Sequence, residues 1–150
     1  MVNLLKKYFY LLFVILIMIC LLVAGGCALF APPGKTDKAE IILDNSTLFD
    51  KNDLEQAVVL IKEKFKEFKG CELIKLWYDE EHTKREIENS YLSYLNDNKN
   101  IELIVFLCNY KTGRFSEPET SRNQTYTNFD WILAKDKDTG ELNIIGWGYA

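Results

Sequence analysis

The residues equipped for chemistry are few and scattered along the chain. His82 is the only histidine and follows Asp79, Glu80 and Glu81. An imidazole among carboxylates has the parts of a general base, yet no nucleophile stands beside it, and a solvated histidine at a helix start explains the same residues. Asp130 lies between Phe129 and Trp131, and strand alternation sends its carboxylate to the face opposite those rings. If that face lines a pocket, Asp130 is a candidate ligand contact, and Trp131 is a candidate from the other face; the plainer alternative is an exposed aspartate beside core tryptophans. A polar loop from Lys111 to Gln124 carries Arg114, Phe115 and Arg122, and loops on a rigid scaffold are common recognition sites. Asp136-x-Asp138-x-Gly140-Glu141 contains oxygen ligands, but a calcium loop spreads its ligands over about 12 residues, and Asp, Thr and Gly form a hairpin turn unaided. No cysteine and histidine pairs stand at metal-ligand spacing, so neither a metal nor a cofactor is expected, and no residue is assigned a catalytic role.

The four cysteines divide by position. Lys6 and Lys7 precede an uncharged stretch from Tyr8 to Gly34, and Ala24, Gly25 and Gly26 stand just before Cys27. A charged n-region, an apolar h-region and small residues at a cleavage point describe a secretory signal. Ala24-Gly25-Gly26-Cys27 resembles the lipobox of bacterial lipoproteins, which implies lipid attachment at Cys27 and removal of residues 1–26. The lipobox usually has Leu where this chain has Ala24, and Cys20 has no small residue before it. The alternative is an uncleaved anchor, because Tyr8 to Phe30 is long enough to span a bilayer, which needs about 20 apolar residues. Either way the lysines stay inside and the domain faces the extracytoplasmic side of the cell membrane.

Removing residues 1–26 takes Lys6 and Lys7 from the 18 basic residues and leaves 16 against 22 acidic ones, a net charge of −6. A nucleic-acid module shows a basic patch; here Lys62, Lys64, Lys66 and Lys69 alternate with Glu63 and Glu67 on a solvated helix face. No nucleic-acid partner is expected. Residues 27–37, with Pro32-Pro33-Gly34, read as a tether, and residues 38–150 as one domain of ordinary size.

Leu54, Ala57, Val58, Ile61, Phe65 and Phe68 fall at helical spacing and predict a helix from about Asp53 to Lys69, capped by Asn52 and ended by Gly70. Cys71 to Tyr78 reads as a strand. Thr83-Lys84-Arg85-Glu86 has capping-box spacing, and Ile87, Tyr91, Tyr94 and Leu95 outline a second helix. Ile101 to Cys108 is apolar on both faces after Glu102, as in a central strand. Tyr126 to Lys135 and Leu142 to Tyr149 form a hairpin around the Asp136–Gly140 turn. The order α-β-α-β-β-β predicts an α+β fold with both helices on one face of a four-stranded, mixed, mostly antiparallel sheet. Strand, helix and strand from Cys71 to Cys108 are expected to form a right-handed parallel crossover. That arrangement separates Cys71 from Cys108 by about 20 Å, too far for the disulfide that an exterior compartment would permit.

The element order is similar to cystatin-like and NTF2-like folds. Gly70-Cys71-Glu72-Leu73, Leu76-Trp77-Tyr78, Thr125-Tyr126-Thr127-Asn128-Phe129-Asp130-Trp131-Ile132-Leu133 and the terminal Gly146-Trp147-Gly148-Tyr149 resemble segments of a group of uncharacterised Gram-positive bacterial lipoproteins. That group tends to have Trp at the position of Phe129 and His at that of Gly146. The resemblance implies the compartment and the domain boundary and carries no activity. The expectation is a non-catalytic envelope domain binding a protein, a glycan or a small ligand. The alternative is an NTF2-like pocket enzyme with Asp130 as its base, marked by a cavity at that residue.

Overall fold

The computed structural model describes residues 8, 10, 12–18, 31–114, 116 and 121–149. The described positions between 8 and 18 are helical and carry exposed side chains, Leu12 and Met18 among them. Among the described residues no helix is long and apolar enough to cross a membrane. Cys27 and Phe115 lie outside the described residues.

The domain is built from β1 (Glu40–Leu43), α1 (Lys51–Phe65), β2 (Cys71–Tyr78), α2 (Glu80–Glu86), a π-helical segment (Ile87–Tyr91), α3 (Leu92–Asp97), β3 (Ile101–Thr112), β4 (Thr125–Asp136) and β5 (Leu142–Gly148). The class is α+β, and the sheet has five strands in the order β1-β2-β3-β4-β5. The strand absent from the expected four is β1. Its Glu40-Ile41-Ile42-Leu43 is too short to show a period, and its pairing with β2 alone makes it an edge strand.

The parallel crossover exists, but one connection earlier than expected. β1 and β2 run parallel, with α1 between them in the chain, whereas β2 and β3 run antiparallel. Cys71 pairs with Thr112 and Cys108 with Leu76, so the two cysteines lie about 13 Å apart along the ladder. Cys108 is a free thiol. The expected lack of a bridge between them therefore rests on register, and the parallel geometry first assigned to this pair is incorrect.

The helices also lie on both faces of the sheet, where one face was expected. On the first, α1 brings Leu54, Ala57, Ile61 and Phe65 against Leu73, Leu76, Phe106, Tyr110, Trp131 and Leu133. On the second, Ile87, Tyr91 and Leu95 cover Leu103, Val105, Ile132 and Ala134. The run from Leu103 to Cys108 is fully buried. A strand apolar on both sides needs cover on both sides, and the second helical layer supplies it.

Local caps differ in detail from those expected. Asp50 accepts from the amide of Asp53 at 2.8 Å, three residues before the expected helix start, and displaces Asn52 as the cap of α1. Asp79 caps α2 by accepting from the amide of His82 at 2.9 Å. Thr83 consequently lies inside the helix, where its hydroxyl donates to the carbonyl of Val105 at 3.1 Å and pins α2 to β3.

Residues 32–36, expected as tether, make ordered contacts with the domain. Gly34 N–H donates to the Lys66 carbonyl at 2.9 Å and Gly70 N–H to the Pro32 carbonyl at 2.7 Å. Lys35 exchanges backbone bonds with Cys71 and Leu73. A Cβ on Gly34 would lie 2.1 Å from the Phe65 carbonyl oxygen, so only glycine fits this approach.

Candidate functional site

Asp130 belongs to β4, whose alternation sends Phe129 and Trp131 into the α1 side and Asp130 and Ile132 to the other face. Two residues upstream, the β3–β4 ladder shifts register between Cys108 and Tyr110. Asn128 takes a positive φ of 54° there, and its amide donates to the Asn109 side chain at 3.0 Å. Asparagine tolerates that conformation, and such a bulge re-aims the residues beyond it.

The carboxylate of Asp130 is 4% exposed. Its Oδ1 lies 2.8 Å from Nε2 of His82, which reaches it from the first turn of α2. Nδ1 of the same ring lies 2.7 Å from Nη2 of Arg85. A guanidinium can only donate, so Nδ1 accepts and the ring proton sits on Nε2, donating to Asp130. Both ring nitrogens are thus occupied. His82, the sequence candidate for a general base, is a positioning residue that orients Asp130. Burial pushes the Asp130 carboxyl above its ordinary range; the His82 hydrogen bond, and Arg85 more weakly, oppose this, while Glu86 adds to it.

Asp130 lines a cavity of about 150 Å³ between the second helical layer and the sheet. Glu86, Ser90 and Tyr91 form its helical wall, Val105 and Ile132 its floor beside Asp130, and the Gly146–Tyr149 segment of the β5 edge its third side. The π-helical turn Ile87–Tyr91 shapes the first wall. Its i to i+5 winding sets Tyr91 beneath Glu86, where an α-helix would set Ser90. The third side is open because Gly148 pairs with Asp130 and Gly146 with Ile132. With no side chains there, the sheet leaves a hollow.

Glu86 is 8% exposed, and among the described residues its carboxylate makes no hydrogen bond or ion pair. Burial pushes the Tyr91 phenol up, and the charges of Asp130 and Glu86 push it further, which marks the cavity as a negative field. Cys108, on the opposite face, is raised to about 12 by burial and accepts the Trp131 indole N–H at 3.3 Å.

No family model, curated protein or solved structure matches the chain. The site is therefore read from its geometry.

That geometry separates the sequence candidates. Trp131 is fully buried among Phe65, Phe68, Phe129 and Trp147 and does not line the cavity. Arg122 is exposed on the loop between β3 and β4, as is Arg114. The ends of that loop are closed by the Thr112 hydroxyl donating to the Ser121 carbonyl and accepting from the Gln124 amide. Neither arginine lines the cavity. Asp136 spends its carboxylate on the amides of Asp138 and Thr139, both at 2.9 Å, which holds it below its ordinary range. Among the described residues no three His, Cys, Asp or Glu side chains converge as metal ligands. Sequence reading missed Glu86, Ser90, Gly146 and Gly148. The visible signal was Gly146-x-Gly148, two glycines on one face of a strand otherwise rich in large side chains.

Proposed function

We propose that this chain is an envelope lipoprotein, cleaved before Cys27 and lipidated there, whose single extracytoplasmic domain binds a small ligand in the cavity at Asp130. The anchor rests on the lysines, the apolar run and the small residues before Cys27, together with the segments similar to Gram-positive lipoproteins. Exposed apolar side chains from Leu12 to Met18, with no place in the core, agree with it. The finer fold assignment, NTF2-like or cystatin-like, rests on element order alone, and β1 and the second helical layer depart from that order.

The observation that carries the binding reading is the buried Asp130, oriented by His82 and opening on a small cavity whose walls also carry Glu86, Ser90 and Tyr91. A cavity of about 150 Å³ falls below the roughly 300–1,000 Å³ of sites for larger ligands and suits a small molecule or the end group of a larger one. The second reading, a pocket enzyme using Asp130 as base, draws on the same raised carboxyl; against it, the imidazole that could share the proton has both nitrogens engaged.

Intact mass of the membrane-extracted protein tests the anchor. Loss of residues 1–26 with an added diacylglycerol mass is the expected result, and a chain retaining those residues would leave an uncleaved membrane helix instead.

A further inference from the structure

Two carboxylates face the cavity, Glu86 from the helical layer and Asp130 from the sheet. Among the described residues, neither is in an ion pair with lysine or arginine. Among the described residues the side-chain partner of Asp130 is His82, whose Nδ1 accepts from Arg85 and whose ring is therefore neutral. The cation Arg85 acts on Asp130 through the imidazole. Glu86 is more than nine-tenths buried, and among the described residues its carboxylate has no hydrogen-bond partner, which leaves its oxygens to accept from a donor in the cavity. The remaining walls carry the Tyr91 ring, the Ser90 hydroxyl and two backbone glycines. The ligand must therefore bring positive charge and several N–H donors, and it must be small. A divalent cation of the calcium type needs six to eight oxygens, more than this wall presents. An alkylammonium needs about three acceptors and gains from an aromatic face.

We propose that the cavity lined by Glu86, Asp130, Ser90 and Tyr91 binds the protonated primary amino group of a small organic cation. The ammonium sits between the two carboxylates, and its carbon chain leaves over Gly146 and Gly148, where no side chain blocks the way. This rests on the binding reading above and gives it a ligand class. The amine belongs either to a free small molecule or to a lysyl side chain.

The test is a titration of the detergent-solubilised full chain, following the amide resonances of Gly146 and Gly148. The probes are n-butylammonium chloride, the peptide acetyl-Gly-Lys-Gly-amide, 1-butanol and sodium butyrate. Butylammonium is expected to saturate, and Glu86→Gln and Asp130→Asn each to weaken it about tenfold or more, as loss of a charge-assisted hydrogen bond does. Gly146→Ala keeps both charges and is expected to weaken binding by filling part of the hollow; its Cβ would lie 3.7 Å from Ile132 Cδ1, an ordinary contact, so the fold tolerates it. Binding of the peptide as well identifies a lysyl side chain as the source, and its exclusion identifies a free amine. Butanol or butyrate binding as tightly as butylammonium, or an unchanged affinity in Glu86→Gln, overturns the cation assignment while the binding reading stands. If none of the four probes shifts Gly146 and Gly148, both readings fall.

Discussion

Asp130 is a buried charge that the fold holds at the expense of stability. Its carboxylate is buried, faces Glu86 across a cavity and is stabilised by a neutral imidazole and, at one remove, by Arg85. The raised carboxyl means that the folded state binds a proton more readily than the unfolded state, so this group stabilises the fold least at neutral pH and progressively more as pH falls towards the ordinary carboxylate range. Asp130→Asn keeps an oxygen to accept from His82 Nε2–H and removes the charge. It is therefore expected to raise the Tm at pH 7 by roughly 3–6 °C, from on the order of 1 kcal/mol. The gain should shrink on acidification towards pH 4. A lower Tm at neutral pH in calorimetry would show that the charged form is the stabilising partner of His82. Trp131, its neighbour in sequence, is a plain core ring on the other face.

At the scale of elements, the segment before β1 behaves as part of the fold. Pro32, Gly34 and Lys35 lie on the end of α1 and the start of β2 through backbone hydrogen bonds. A side chain at Gly34 would meet the Phe65 backbone at once. Gly34→Ala is expected to cost on the order of 2–3 kcal/mol. A chain starting at Lys38 should likewise melt well below one starting at Ala31. Equal melting curves for those two chains would return the domain boundary to residue 38. The helical excursion between β2 and β3 is the other element that matters. Thr83 fastens its start to Val105, Asp79 caps it, and its π-helical turn hands Tyr91 to the cavity.

Over the whole molecule, with Cys27 lipidated as proposed, a domain that begins at Pro32 leaves only residues 28–31 between it and the lipid, a reach of about 14 Å. The end of the sheet carrying Pro32, Gly70 and Gly113 would then be held at the bilayer. Gly113 N–H donates to the Gly70 carbonyl at 2.9 Å, so the start of the Arg114 to Arg122 loop lies at that same end. The Asp136–Gly140 turn joins β4 and β5 at the opposite end. If the protein is anchored as proposed, a spin label at Lys111 is expected to be relaxed by paramagnetic headgroup lipid and one at Asp138 to be spared. Equal relaxation at both sites would show a domain that tumbles freely on its anchor.

Local chemistry was enough to read the strands near Cys71–Tyr78, Ile101–Cys108, Tyr126–Lys135 and Leu142–Tyr149, the amphipathic α1, the Asp136 turn and the alternation that sends Asp130 away from Trp131, because each depends on periods of two or 3.6 residues and on turn residues. Tertiary structure alone decided where β1 pairs, which connection is parallel, and that helices cover both faces. These depend on how distant segments share buried area, and a four-residue strand has no period to display. The meeting of His82 with Asp130, 48 residues apart, belongs to the same class. The cavity was the least legible feature of all. It arises from a π-helical turn that shifts Tyr91 beneath Glu86 and from glycines whose register places them opposite Asp130 and Ile132, and a hollow made by absent side chains on one strand is set only when its neighbours are in register.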